Sequence, residues 1–206
     1  MIVKCFPVGY MGANCYIIGC EETKEAAVID PGGDVEMILA EVKAQGLKVK
    51  YIINTHGHID HIAGNDELRE ATGAELMIHE LDAPMLVKSR GNLSAMVGGA
   101  VELKPADTML HEGDVINVGN VKLDVLHTPG HTLGGICLST KGVVFTGDTL
   151  FNESIGRTDF PGGNYEAIIN SIKVKLMPFP DETIVHPGHM GSSTIGHERK
   201  YNPFLR

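Results

Sequence analysis

Asn54-Thr55-His56-Gly57-His58-Ile59-Asp60-His61 is the stretch on which the reading of this chain turns. Four side chains that bind metals well, His56, His58, Asp60 and His61, crowd into six consecutive positions. A folding core does not ask for this. A packed imidazole or carboxylate costs desolvation free energy unless it gains a partner. A divalent cation, or a pair of them, is the partner that makes such density favourable. A lone histidine, by contrast, is ordinarily a core or surface residue, and that is the reading for His79, His111 and His197.

Working outward, the apolar run Tyr51-Ile52-Ile53 reads as a short buried strand that empties into the cluster. The same arrangement recurs three times. A strand over 121–126 runs into Thr128-Pro129-Gly130-His131. Val143-Val144-Phe145 runs into Thr146-Gly147-Asp148, and Ile184-Val185 into His186-Pro187-Gly188-His189. Each turn sets a glycine beside a histidine or an aspartate. Side chains at strand ends are held by a rigid sheet, and sites are commonly built on the loops there. Glycine lets the backbone turn tightly and approach such a site closely.

The candidate ligands are therefore His56, His58, Asp60, His61, His131, Asp148 and His189. Mixed imidazole and carboxylate donors suit zinc, iron or manganese rather than calcium or magnesium. Seven donors are too many for one tetrahedral ion and suit two. His56, His58 and His131 would hold one, Asp60, His61 and His189 the other, with Asp148 between them. Open coordination positions mark a catalytic rather than a closed structural site. Two ions about 3.5–4 Å apart supply a hydroxide at neutral pH and an electrophile for a carbonyl or phosphoryl oxygen. Hydrolysis is the expected reaction, with Asp60 also able to orient the nucleophile. Asp30, in Ile29-Asp30-Pro31-Gly32-Gly33, either orients a ligand or simply makes a turn. His127 and His186 lie near ligand turns and could serve as hydrogen-bond partners of ligating imidazoles.

The remaining chain alternates strands and helices. Strands are expected at 15–18, 26–29, 75–78 and 183–185. Asp34 is expected to cap a helix with Val35, Ile38, Leu39 and Val42 on one face, stopped by Gly46. A second helix should follow His61 and end at Gly73, and residues 80–100 should begin helical and become loop near Gly98-Gly99. A helix capped by Asn164 should carry Tyr165, Ile168, Ile169, Ile172 and Leu176 up to Pro178. No linker divides residues 1–206, so one domain is expected. Its 206 residues can bury a full core without disulfides.

Lys plus Arg total 17 against 26 Asp plus Glu, a formal charge of −9, and no basic patch is present. That composition disfavours a nucleic-acid partner. No apolar run approaches the roughly 18 residues that span a bilayer, and the first residues lack the pattern of a signal peptide. A cytoplasmic address is the expectation, with Cys5, Cys15, Cys20 and Cys137 as free thiols.

His56-x-His58-x-Asp60-His61, with His131 in Thr-Pro-Gly-His-Thr, Asp148 in Thr-Gly-Asp-Thr-Leu-Phe and His189 in Pro-Gly-His, resembles the metallo-β-lactamase-fold hydrolases. Within them the chain looks like the short bacterial form of the glyoxalase II group, the hydroxyacylglutathione hydrolases, nearly end to end. The resemblance implies an α+β fold, a four-layer αββα sandwich with a dinuclear site at one edge of the two sheets. The alternating elements are compatible with that layering without specifying it. The resemblance also implies hydrolysis of a thioester such as S-D-lactoylglutathione, with two divalent ions, zinc first and iron or manganese as the others. Arg157, in Gly156-Arg157-Thr158-Asp159, stands where a basic residue often meets the glutathione part. It could equally hold its loop by pairing with Asp159. The tyrosine that often follows the last metal histidine is replaced by Met190, and the helical C-terminal glutathione-binding domain of longer members is absent.

Rival readings share the fold. A persulfide dioxygenase-like enzyme would use one iron on His56, His131 and Asp148, and a lactonase would use all seven ligands. A secreted β-lactamase is disfavoured, because Asp148 stands where the best-known zinc β-lactamases have Cys. A domain that kept the fold and lost turnover would not need to keep open metal positions.

Overall fold

The strand patterns pair into two six-stranded sheets in the computed structural model, which describes residues 1–206. The first sheet takes its strands in chain order: β1 (Ile2–Val8), β2 (Ala13–Gly19), β3 (Glu25–Ile29), β4 (Lys48–Asn54), β5 (Glu75–His79) and β6 (Thr108–Leu110). Its first three strands are antiparallel; β3 to β6 are parallel. Parallel neighbours need crossovers. These are supplied by α1 (Val35–Ala44), the short α2 (Ile59–Ile62) with α3 (Asn65–Thr72), and a long segment holding α4 (Ala83–Leu86).

The second sheet contains β7 (Val115–Val118), β8 (Val121–His127), β9 (Ile136–Thr140) and β10 (Val143–Gly147), joined as antiparallel neighbours. A two-stranded ribbon, β11 (Leu150–Phe151) and β12 (Ser154–Ile155), and α5 (Tyr165–Ser171) precede β13 (Ile184–Pro187), which pairs parallel to β10. Strand β14 (Ser193–Thr194) closes the edge and leads into α6 (Ile195–Tyr201).

Alternation along the strands builds the layers, since successive side chains point to opposite faces. On β3, Ala26 and Val28 join the apolar cluster that holds Val35, Ile38 and Val42 of α1 and Leu68 of α3. Ala27 and Ile29 join a different cluster, shared with Leu123, Val125, Ile136, Leu138 and Phe145 of the other sheet. On that sheet Cys137, Val144 and Val185 turn outward to Ile168, Ile172 and Ile195. Three apolar clusters therefore fill three interfaces, helix on sheet, sheet on sheet and sheet on helix. This is the four-layer αββα sandwich. No helix is long and apolar enough to cross a membrane.

Several elements depart from the sequence reading. Asp34 does not cap α1 through its side chain; its backbone is left-handed at φ 48°, and its carboxylate accepts from the Gly9 amide at 2.7 Å instead. The helix expected after His61 is broken at Gly64, where a Cβ would stand 2.6 Å from the Pro31 carbonyl oxygen. It still ends at Gly73 in the left-handed conformation. The expected helix at 80–100 is reduced to α4 and a single 3₁₀ turn at Ser94–Met96. Asn164 does cap α5, accepting from the Ala167 amide at 2.9 Å, and the helix continues as a π-helical turn over Ile172–Leu176. Strands β1 and β9 and helix α6, capped by Thr194, carry no signal read from the sequence.

Candidate metal centre

Five strands end at one rim, and each delivers part of the cluster. Asp30 follows β3, His56 to His61 follow β4, His131 follows β8, Asp148 follows β10 and His189 follows β13. The rim is pulled together by close backbone packing. A Cβ at Gly32 would overlap the carbonyl oxygen of Asp60, and one at Gly156 would overlap that of Asp148. The C-terminal turn is held from the other sheet. Tyr16 Oη donates to the Pro187 carbonyl at 2.7 Å, and Asn14 Nδ2 donates to Pro187 at 3.0 Å and to Met190 at 2.8 Å.

The seven expected side chains converge in the expected groups. Donor atoms of His56, His58 and His131 lie within 4.8 Å of one another, as do those of Asp60, His61 and His189. His58 Nδ1 and His131 Nε2 face each other at 2.9 Å. His189 Nε2 stands 3.1 Å from Asp60 Oδ2 and 3.3 Å from His61 Nε2. Asp148 lies between the groups, with Oδ1 3.4 Å from His61 Nε2 and Oδ2 3.6 Å from His131 Nε2 and 3.7 Å from His189 Nε2.

Two observations fit this centre to cations. His56 Nε2 and Asp148 Oδ1 are buried without a hydrogen-bond partner, a costly state for polar atoms that a bound cation would relieve. The electrostatics agree. Burial first, and then the neighbouring imidazoles, pushes His56 well below its usual range and His58 down to about 3, leaving their lone pairs free. Burial opposes ionisation of Asp60, yet His61 and His189 outweigh it and hold the carboxyl well below the usual carboxylate range. Burial would lower His61 too, but Asp148, Asp30 and Asp60 overcome it and raise the imidazole to about 10; three carboxylates favour positive charge here, which a cation would supply in place of that proton. The cluster can hold divalent metal.

The surrounding hydrogen bonds aim these donors. Asp30 is an orienting residue as well as part of a turn. Its Oδ2 meets His61 Nδ1 at 3.0 Å, and its carboxylate accepts from the Thr55 amide at 2.7 Å and the Thr55 hydroxyl at 2.6 Å. His131 Nδ1 lies 2.7 Å from the Arg157 carbonyl oxygen, a main-chain role that no side-chain pattern announces. Asp82 also went unread. It is 1% exposed, and it accepts from the Gly57 amide at 3.1 Å and the Gly134 amide at 2.7 Å. One carboxylate thus ties the loop of His56 and His58 to the loop of His131. Burial raises its pKa despite those donors and Thr132.

His127 and His186 do not orient ligands. His127 stacks on His79 with ring centroids 4.2 Å apart and bonds the Leu133 carbonyl through Nε2 at 2.9 Å. His186 meets the Ser192 hydroxyl at 2.9 Å and packs against Tyr16 and Phe145. His79, His111 and His197 lie outside the metal-capable groups. Arg157 reaches the rim, but its guanidinium holds Asp159 in a two-point pair at 2.9 and 2.7 Å and lies 4.1 Å above the Phe160 ring. A cavity of about 490 Å³ opens over His58, Asp60, His131, Asp148 and His189 and includes Arg157 in its wall.

An αββα sandwich with a His/Asp metal-capable cluster at one rim of its paired sheets defines the metallohydrolase class of folds. Residues 8–189 match the family model described as the metallo-beta-lactamase superfamily. The chain belongs to that superfamily, whose members bind divalent metals. It is 37% identical to a hydroxyacylglutathione hydrolase, GloC, of Haemophilus influenzae, over all of this chain and 98% of the relative. Among solved structures it is similar to the BLEG-1 B3 metallo-beta-lactamase, with TM-score 0.94 and 36% identity over 99% of both chains. It is also similar to ETHE1 from Myxococcus xanthus, with TM-score 0.83 and 33% identity over 98% of this chain and 84% of that one.

Proposed function

We propose that this chain is a two-metal hydrolase that cleaves a small-molecule thioester, with S-D-lactoylglutathione as the reference substrate. The observation that carries the reading is the pair of donor trios meeting at Asp148 on the floor of one cavity. Full-length similarity to a hydroxyacylglutathione hydrolase supports the thioester. In this reading His56, His58 and His131 would hold one cation and Asp60, His61 and His189 the other, with Asp148 placed between the two groups to serve both. Zinc is the first expectation, with iron or manganese as the other ions. When bound, the cations supply a water ionised near neutral pH and an electrophile for the thioester carbonyl.

The chain's own groups do the rest. Asp30 and the Arg157 carbonyl fix the rings of His61 and His131, which keeps their Nε2 atoms aimed at the centre. Asp60, whose Oδ2 lies 3.1 Å from His189 Nε2, would accept the hydrogen bond that aims the attacking water. The leaving thiol has a pKa near 8.5 and needs little acid assistance, so no dedicated proton donor is required.

Two other reactions are favoured by the structural neighbours. Similarity to ETHE1 supports a sulfur oxygenase with one iron on His56, His131 and Asp148. Similarity to the B3 enzyme supports opening of a β-lactam ring. A lactonase fits the same ligands. Elemental analysis of the purified protein, run beside a thiol-release assay, separates these. The thioesterase reading expects near two metals per chain, thiol release from S-D-lactoylglutathione, and loss of turnover in a folded Asp60→Asn or His131→Ala protein. One iron per chain with oxygen consumption on a persulfide, or robust hydrolysis by metal-free protein, refutes it.

A further inference from the structure

We infer that the arm of the thioester seated in the cavity is uncharged and apolar, so that aliphatic or aromatic thioesters are preferred to hydroxyacyl conjugates of a charged thiol. This inference rests on the thioesterase reading and specifies its substrate class. Above the metal-capable floor, the wall is formed by Met11, Leu93, Met96, Val97, Phe151 and Phe160. Met96 and Val97 are 72% and 57% exposed, a free energy cost that a bound apolar group would relieve. Arg157 is the single lysine or arginine of the lining, and both arms of its pair with Asp159 are satisfied within the protein. The wall therefore offers a charged thiol only this one guanidinium, already shared with Asp159. Anionic groups seated against the apolar part of the wall would lose solvation with little compensation there.

The apolar wall is a built feature. Asn92 is fully buried; its carbonyl accepts from the Ile59 amide at 2.9 Å, between His58 and Asp60. Its side chain donates to the Val101 carbonyl and accepts from the Ser94 amide, both at 3.0 Å, and the Ser94 hydroxyl accepts from the Val101 amide at 2.9 Å. This clasp holds Leu93 at φ 65°, a sparsely populated conformation for a residue with a branched side chain. Backbone strain of this kind gathers at ligand clamps. Met11 comes from the β1–β2 turn, and the flexible side chains of Met11 and Met96 adapt to apolar groups of varied shape. In the reaction the C–S bond breaks, and water supplies a hydroxyl to the acyl carbon and a proton to sulfur. The apolar arm itself takes no part in the chemistry.

The test measures kcat/KM for metal-loaded protein on two sets of thioesters. One holds the thiol constant and extends the acyl group from acetyl to hexanoyl. The other holds the acyl group constant and compares glutathione with an uncharged alkanethiol. Each added methylene should raise kcat/KM by up to about fourfold along whichever set places the arm in the cavity, mainly through KM. Met96→Asp should flatten that dependence. Calorimetry with thioether analogues, which cannot turn over, should show the same chain-length trend in affinity. A flat response in both sets and in binding, with S-D-lactoylglutathione the best substrate, overturns the inference and leaves the thioesterase reading standing. Absence of thiol release from every thioester overturns both.

Discussion

Asp82 offers the sharpest test of how the centre is held, because its carboxylate ties two ligand loops together through their backbone amides. Asp82→Ala strands two buried amides, those of Gly57 and Gly134. Each buried donor left unmade costs about 1–3 kcal/mol, or about 2–6 kcal/mol together. Part is recovered, because the carboxylate is itself 1% exposed and burial raises its pKa. The expected net loss is about 2–4 kcal/mol. Asp82→Asn keeps one acceptor and turns an NH₂ group toward the other amide, so it should cost about half as much. Both variants should also bind metal more weakly, by about 10–100-fold, because the loops carrying His56, His58 and His131 lose their common anchor. Urea unfolding followed by circular dichroism gives the first quantity, and competition with a calibrated chelator the second. If both variants unfold within 0.5 kcal/mol of the parent, about the spread of ordinary surface changes, and retain metal equally well, the anchoring argument is wrong.

Two further outcomes are expected. Gly32→Ala should cost about 3 kcal/mol or more and weaken metal retention, since its Cβ would overlap the Asp60 carbonyl. Gly46→Ala, in open space at φ 64°, should cost only about 1 kcal/mol in thermal or urea unfolding and leave metal content unchanged. The second outcome concerns His79. Burial first, then the stacked His127, lowers its pKa to about 4, and its Nδ1 accepts from the Leu81 amide at 3.2 Å. The unfolded chain, with a histidine pKa near 6.5, binds the proton first. Stability should therefore fall as pH drops from about 6.5 to 4, His79 contributing at most about 2 kcal/mol after solvent screening. His79→Asn should make the pH dependence of urea unfolding shallower in that window, and parallel curves for the two proteins would reject the assignment.

What could be read from the sequence was whatever repeats in one dimension. Four strand-to-glycine turns named seven side chains, and the structure gathers those seven at one rim. Short apolar runs beside charged turns placed strands such as 26–29, although the three apolar interfaces emerge only once each strand is assigned its two faces. Tertiary contacts overrode local signals elsewhere. Asp34 has the chemistry of a cap, but the Gly9 amide takes its carboxylate. A helix through Gly64 was reasonable locally, but the approach of Pro31 breaks it. Asp82 and the Arg157 carbonyl escaped notice because neither belongs to a spacing pattern. Each acts across 25 or more positions, and a peptide carbonyl carries no mark in the sequence.

The grip of Asn14 and Tyr16 on the turn before His189 has a consequence in time. The first sheet is built wholly from residues 2–110 and the second from 115–194, so each half can form its own ladder early. The centre belongs to neither half. Its ties span 171 to 176 positions, and contacts so remote in sequence form late because their loop entropy must be met first. At synthesis rates of about 5–20 residues per second, His61 waits about 6–26 seconds for His189, which lies 128 positions later. Bound metal would then act as a lock on docking: the full donor set exists only after the two halves have met, and a cation held by both would oppose their separation.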